Sequence, residues 1–370
     1  MDYFNSTDEL LKTQYKLLEQ MNGLIERQNK ILQSQPSATS REVFVNDIDH
    51  DEMRSGFLVT SDRKKLWNVQ IGLINEFARI CKKHNLKWWA IGGTLLGAAR
   101  HSGFIPWDDD VDVAMFRPDY EKFINFANEE LKSYYSLVIW YNHRLEADQN
   151  KDFSTESSLP LITGEQRDTV GRVGWPFIPL MQMRDDRTSC IQWYDRKNIN
   201  QGIWIDIFPL DPVPPFSDKE KEINFQLARE LLLTTTQPEL IAEVLAIGKH
   251  LLIPSDTLKN LLGLSYKKRA LNFEKFVTEH FFISERIGDI RKYTGFNTGW
   301  AYESKDFRET TYLPFEQISI PVPLEYDHVL TTLYGDWHKM VISYTHSPVQ
   351  EWSADIPYTE YYEKSALMRP

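Results

Sequence analysis

The sequence predicts an α+β fold, a mixed-sheet core with a helical C-terminal part, and three observations carry that prediction. An apolar run from Lys87 to Ile91 ends at Gly92-Gly93 and gives way to helix-forming residues from Thr94 to Arg100, which reads as strand, tight turn, helix. A second run, Asp110 to Phe116, alternates, with Asp110, Asp112 and Ala114 on one face and Val111, Val113 and Met115 on the other. Helical spacing then dominates from Leu66 to Ile80, from Tyr120 to Ala127, and through most of 217–290. With 370 residues, 42 % of them hydrophobic, the chain can bury the core of one large domain or two.

Taken in order, residues 6–33 predict an amphipathic helix opened by Ser6 and Glu9 at capping-box spacing. Leu10, Leu17, Leu24 and Ile31 recur every seven residues, as do Leu11, Leu18, Ile25 and Leu32, a stripe suited to a coiled coil and to homo-oligomer formation. Gln14, Gly23 and Gln28 interrupt it, and packing back on the body is the alternative. Residues 34–61, which begin with the QSQPSATS composition of a flexible segment, read as a linker, and the body spans 62–370. Ser61 or Asp62 caps a helix through Asn85, whose apolar face carries Leu66, Val69, Leu73, Ile74, Phe77 and Ile80. Pro118 starts another helix bearing Tyr120, Phe123, Ile124 and Ala127. Residues 142–173 are polar and read as a long surface loop or lid, and 217–290 as a helical insertion.

The chemistry concentrates around the Gly-Gly turn and the acidic strand. Such a turn at a helix N-terminus offers backbone N–H groups to an anion. Side chains two apart on a strand have Cα atoms roughly 6.5 Å apart, so the carboxylates of Asp110 and Asp112 can reach one hard cation such as Mg²⁺. A Gly-Gly pair alone is commonly a plain turn, and Asp108-Asp109-Asp110 alone is commonly a solvated loop. Asp112 tips the balance: it sits between Val111 and Val113, where an uncompensated buried charge is costly and Asp is a poor strand former. A calcium loop would need Gly at its sixth position and Glu at its twelfth, where this chain has Val113 and Asp119. A third carboxylate is expected, and Asp206, between Ile205 and Ile207 in GIWIDIFPLDPVP, is the candidate. An interior strand ending at Pro209 is the functional reading; an edge strand with a wet polar face is the other. Asp211, beside Pro212, reads as a turn or capping residue. These features describe a metal-dependent phosphoryl-transfer site.

Composition excludes several classes. A net charge of −11 and a pI of about 5.4 make a nucleic-acid backbone a poor partner. Cys81 and Cys190 alone provide neither a disulfide framework nor a cysteine zinc site, and Cys81 reads as core. The acidic N-terminus MDYFNSTDELL lacks the pattern of a secretory signal, and the most apolar stretches are broken by Gln237, Pro238, Glu243 and Lys249. The expectation is therefore a cytoplasmic protein, with peripheral contact at the inner membrane face left open. Eleven Trp could stack on sugar rings or cage a quaternary ammonium; Trp88, Trp89, Trp107, Trp193 and Trp204 lie near the site in sequence, and core packing is the ordinary alternative for each.

The segment GTLLGAARHSGFIPWDDDVDVAMFRPDYEKF, Gly93 to Phe123, closely resembles the LicD family, named for phosphocholine transferases of bacterial surface polysaccharides and teichoic acids, with fukutin and fukutin-related protein as distant animal relatives. Met181 to Ser189, Gly202 to Asp211 and Tyr312 to Trp337 look similar in the right order. The resemblance implies a nucleotidyltransferase (polymerase-beta-like) core, in which Gly92-Gly93, Asp110, Asp112 and Asp206 fill the turn, the acidic pair and the third acid. It further implies Mg²⁺, or Mn²⁺ in its place, held by Asp108, Asp110, Asp112 and Asp206. A CDP-activated alcohol would be the donor, bound at Gly92, Gly93 and Thr94, with Arg100, His101 and Arg184 supplying positive charge. The acceptor would be a glycan or lipid-linked glycan, as in lipopolysaccharide or teichoic acid precursors, with Asp206 taking its proton or completing the metal shell. Phosphocholine is the first head group implied; ribitol phosphate, glycerol phosphate, phosphoethanolamine, NMP transfer and a catalytically silent scaffold remain open. Thr188 matches a polar family position of unassigned role, and 217–290, which resembles the family least, is the expected source of acceptor specificity.

Overall fold

The computed structural model describes residues 43–141, 180–191, 200–288, 301–342 and 351–361. The N-terminal helix expected over 6–33, residues 34–42 of the expected linker, the loop at 142–173 and Trp193 lie outside the described residues. Residues 43–61 do not behave as linker. They carry a hairpin of β1 (Glu52–Arg54) and β2 (Phe57–Val59), turned at Ser55-Gly56 with φ of 51° and 78°, the left-handed pair that a two-residue hairpin turn requires. Val45 and Val59 are fully buried.

Helix α1 (Ser61–Lys83) is capped one residue earlier than expected: Thr60 Oγ1 accepts the Arg63 N–H at 3.3 Å, and Lys82 and Lys83 oppose the negative end of the dipole. All six residues of its expected apolar face are buried. Strand β3 (Trp89–Ala90) is shorter than the apolar run from which it was read, and α2 (Gly92–His101) follows it directly. The acidic strand β4 (Asp112–Phe116) starts two residues later than its alternation suggests, so Asp110 belongs to the approaching loop. Next comes α3 (Arg117–Glu130), with Pro118 in its first turn and Tyr120, Phe123, Ile124 and Ala127 buried as expected.

Strands β5 (Tyr135–Ile139), β6 (Met181–Asp185), β7 (Ser189–Ile191) and β8 (Ile203–Pro212) complete the centre. Thr188 closes the β6–β7 turn, donating to the Asp185 carbonyl and accepting the Ile203 N–H at 2.8 Å, which gives this residue a structural role. The ten-residue β8 is the spine of a seven-stranded mixed sheet: β4 runs parallel along one edge, while β6 and β9 (Arg286–Gly288) run antiparallel along the other. It is an interior strand, and it continues through Pro209 to Pro212 rather than ending there. Asp211 is no turn residue. It is fully buried and takes a bidentate pair from Arg117 Nε and Nη2 at 2.9 and 2.5 Å.

Helices α4 (Lys219–Thr236), α5 (Pro238–Ala246), α6 (Ser255–Leu262) and α7 (Tyr266–Glu279) form the expected helical insertion, with a small core of Ile241, Ile253, Leu258 and Leu261. Arg117 Nη1 reaches Glu274 of α7 at 2.6 Å and so ties the insertion to the sheet. The chain then returns to strand, against the expectation of a helical C-terminal part: β9 pairs β10 (Ala301–Glu303), and a hairpin of β11 (Thr310–Phe315) and β12 (Ile318–Pro323) precedes α8 (Tyr326–Tyr334). Last, β13 (Glu351–Ser353) pairs with β7. Among the described residues, no helix is long and apolar enough to cross a membrane.

Candidate active site

The loop from Ser102 to Val111 carries the acids, and its main chain is anchored so that their side chains can converge. Arg63 Nη1 and Trp67 Nε1 of α1 donate to the Asp108 carbonyl at 2.8 and 3.0 Å, and Gln70 Nε2 donates to the Asp109 carbonyl at 2.8 Å. Trp67 also stacks on Phe104 at 4.7 Å, and Phe104 N–H is held by Glu316 at 3.2 Å. Because these anchors take carbonyls and ring faces, they leave the carboxylates to face one another.

Strand pairing brings in the other half. Asp112 is the direct register partner of Asp206 across the parallel β4–β8 ladder. Two acids 94 positions apart in sequence thus become neighbours at the start of the ladder, both buried, at 8 % and 1 % exposure. The Gly-Gly turn closes the third side. Gly92 has φ +54°, and a Cβ on Gly93 would come within 2.6 Å of Asp108 Oδ2, so only glycine lets that carboxylate lie over the helix N-terminus. Thr94 Oγ1 accepts the Asp112 N–H at 2.8 Å, fixing the turn to the strand, so its hydroxyl serves the scaffold rather than a ligand.

The electrostatics follow from burying acids together. Burial, with Asp109 and Asp112 nearby, raises Asp108 to about 7, and burial with Asp108, Asp109 and Asp206 pushes Asp110 well above the carboxylate range, although part of its surface stays open. Mutual repulsion of this kind is relieved by a divalent cation, and four carboxylates are the all-oxygen donor set that a hard cation takes. By donor type, the carboxylate oxygens of Asp108, Asp110, Asp112 and Asp206 suit a hard divalent cation.

The three candidate cations are placed differently from expectation. Arg184 is fully buried and gives no face to a phosphate: Nε and Nη2 donate to Gln182 Oε1 at 3.2 and 2.5 Å, Nη1 donates to the Gly202 carbonyl at 3.0 Å, and its guanidinium lies over Trp204 at 4.7 Å. Burial lowers it to about 10. Arg100 is committed to main chain: Nη1 donates to the carbonyls of Trp337 and Lys339 at 3.1 and 3.5 Å. His101 accepts from Arg100 Nε at 3.0 Å, and burial together with Arg100 and Arg54 drops it to about 4. At neutral pH it is an uncharged ring, not the cation the sequence suggests. The tryptophans follow the packing alternative: Trp88, Trp89 and Trp107 are in the core, and Trp204 lies under Arg184. Cys81 and Cys190 are buried free thiols.

One residue near the acids escapes sequence reasoning. Tyr334, at the end of α8, has its hydroxyl pushed up by burial and then by Asp112, Asp108 and Asp110, which puts it at the rim of the cluster beside Arg100. Its stretch resembles the family, but nothing in its spacing marks the hydroxyl. A second group, Glu303, Asp306 and His328, brings possible ligand atoms within 4.8 Å. There Lys305 pairs with Glu303, and His328 Nδ1 meets Asp306 Oδ2 at 2.9 Å, a contact that clips α8 to the 3-10 turn Ser304–Phe307.

A sheet-borne acid cluster over a Gly-Gly helix start defines a nucleotidyltransferase-like domain, and residues 85–215 match the family described as LicD/FKTN/FKRP, nucleotidyltransferase domain. That match covers about a third of the chain and includes the Gly-Gly turn and all four acids. The chain is 26 % identical over 276 residues, 74 % of this chain and 89 % of the relative, to the lipopolysaccharide cholinephosphotransferase LicD of Haemophilus influenzae, a likeness that supports a phosphotransferase. It is also 53 % identical over 34 residues, 9 % of this chain and 7 % of the relative, to the human ribitol 5-phosphate transferase FKRP. An uncharacterized protein of Rickettsia typhi is 42 % identical over 59 residues, 16 % of this chain and 18 % of the relative.

Proposed function

We propose that the chain transfers a phosphoalcohol, phosphocholine first, from a CDP-activated donor to a hydroxyl of a cell-surface glycan or glycolipid precursor, using a polymerase-beta-like core. The register pairing of Asp112 with Asp206, with Asp108 and Asp110 in the loop just before, carries this reading. When bound by these four acids, Mg²⁺ would offset the negative charge of the donor diphosphate and of the departing CMP. The main-chain N–H groups at Gly92, Gly93 and Thr94 would orient the donor phosphates through the α2 N-terminus. In the transfer, the acceptor oxygen forms a bond to phosphorus as the bond to the CMP oxygen breaks in line, and the acceptor proton leaves to a carboxylate or to water. Arg100 would meet the donor's charge. Ribitol phosphate is the second head group, on the strength of the local likeness to a ribitol 5-phosphate transferase. The reading also includes a cytoplasmic site of action, with peripheral contact where a lipid-linked acceptor is met, and self-association through residues 6–33. Removal of residues 1–40 should lower the mass in solution and spare catalysis; an unchanged mass would sink the self-association.

The deciding experiment is calorimetric binding of CDP-choline, with and without Mg²⁺, to the wild type and to Asp112→Asn. Metal-dependent binding that the variant loses supports donor class and site together. Binding of CDP-ribitol and not CDP-choline would change the head group, and metal-independent binding equal in both proteins would overturn the site.

A further inference from the structure

The proposed function leaves Asp206 two roles, metal ligand or acceptor of the substrate proton, and the residues behind it distinguish them. On the antiparallel β6–β8 ladder, Gln182 is the register partner of Asp206 and Arg184 that of Trp204, so the four side chains form two cross-strand pairs. Gln182 Nε2 donates to Asp206 Oδ1 at 2.7 Å, while Gln182 Oε1 accepts both Nε and Nη2 of Arg184. The amide orientation follows from chemistry: a guanidinium has only donors and an ionised carboxylate only acceptors, so Oε1 must face Arg184 and Nε2 must face Asp206. Both supporting residues are buried, at 8 % and 0 % exposure, and Arg184 is further fixed by the Gly202 carbonyl and the Trp204 ring.

Resting on the proposed function, we infer that Gln182 and Arg184 are a positioning relay that sets Asp206 as a ligand of the catalytic cation rather than as the base. The relay meets Asp206 at Oδ1. A direct arginine would take both oxygens, as Arg117 does at Asp211, and would compete with a cation for the carboxylate. A neutral amide instead orients one oxygen without neutralising the carboxylate, which suits a ligand of a cation. Gln is the residue type that can accept from arginine and donate to aspartate at once.

The test is Mn²⁺ binding, read by electron paramagnetic resonance and calorimetry on the full chain, beside kcat and the Mn²⁺ dependence of activity. Gln182→Glu keeps the Arg184 pair and the side-chain length but turns a donor into a second carboxylate; Gln182→Met removes both bonds without adding charge. Each variant should bind Mn²⁺ roughly 10- to 100-fold more weakly, with kcat largely restored at saturating metal. Should Gln182→Glu fail to fold, Gln182→Met alone decides. A fall in kcat with unchanged Mn²⁺ affinity would make Asp206 the base and overturn the inference, as would wild-type affinity and rate in either folded variant. A wild type that binds no Mn²⁺ would instead bring down the metal site of the proposed function itself.

Discussion

Asp206 and Asp211 lie five residues apart on one interior strand, both buried, yet their surroundings are opposite. Asp211 meets a buried arginine in bidentate geometry, and the same arginine reaches Glu274 at 2.6 Å and Glu121 at 3.2 Å, so each of these acids has a cation beside it, and burial raises Glu274 to about 7. Asp206 accepts from a neutral glutamine and adds its charge to that felt by Asp110, beside Asp108 and Asp109. The first arrangement is a tie between sheet and helical insertion. The second concentrates negative charge where a cation can enter, and burying like charges together is tolerated in a fold chiefly when function uses it.

Substitutions in the acid cluster and at the buried arginine tie should therefore fail in different ways. Asp110→Asn and Asp112→Asn should each lower turnover by on the order of 10³-fold or more, because several kcal/mol of charge stabilisation is lost. Their metal-free melting temperatures should hold or rise, since repulsion is relieved; retained activity in both would remove the site assignment. Asp211→Asn should instead cost about 1–3 kcal/mol of stability in a denaturant titration, because it breaks the buried bidentate pair while Arg117 keeps Glu274 and Glu121. If Asp211→Asn melts like wild type, the tie between sheet and insertion is not a strong one.

The third difference is with pH. Asp108 rises from 3.8 to about 7 in the folded chain and Asp110 rises with it, so between those values the folded protein keeps protons that the unfolded chain has released. Metal-free stability from these groups is full below about pH 4 and is lost as pH climbs through 7, and saturating Mg²⁺ should reverse the trend by favouring the ionised forms. Melting curves at pH 5 and 8 in chelator, for wild type and Asp108→Asn, check this: the wild type should lose more between the two. Equal losses would mean that Asp108 does not carry a raised pKa. The smallest effect expected is for Tyr334→Phe, which removes one hydroxyl at the rim of the acids and should lower kcat/KM by roughly 2- to 10-fold. A rate equal to wild type would leave Tyr334 as packing.

How much of this was legible in the sequence divides along the range of the interactions. The Gly-Gly turn, the helix faces of α1 and α3, and Asp112 as an acid inside a strand are local patterns, set by backbone sterics and by the period of each element. Asp206 was legible as an acid among β-branched neighbours, and Asp211, written in the same run, was misread as a turn residue because its partner Arg117 is 94 positions away. Arg184 was legible as a charge and not as a buried one, because its burial depends on strands paired across β6 and β8. His101 likewise carried no sign of its neutral state, which Arg100, Arg54 and burial impose together.

By itself, then, the sequence determined the kinds of groups available: carboxylates in an alternating strand, a glycine turn at a helix start, and a third acid in a second strand. Only the tertiary structure decided which acids meet, that Asp206 is held by Gln182 while Asp211 is held by Arg117, and that Tyr334 joins the rim. The physical reason is that side-chain chemistry and local periodicity are written within a few residues, whereas burial and Coulomb interaction act through space between strands and helices that chain order does not bring together.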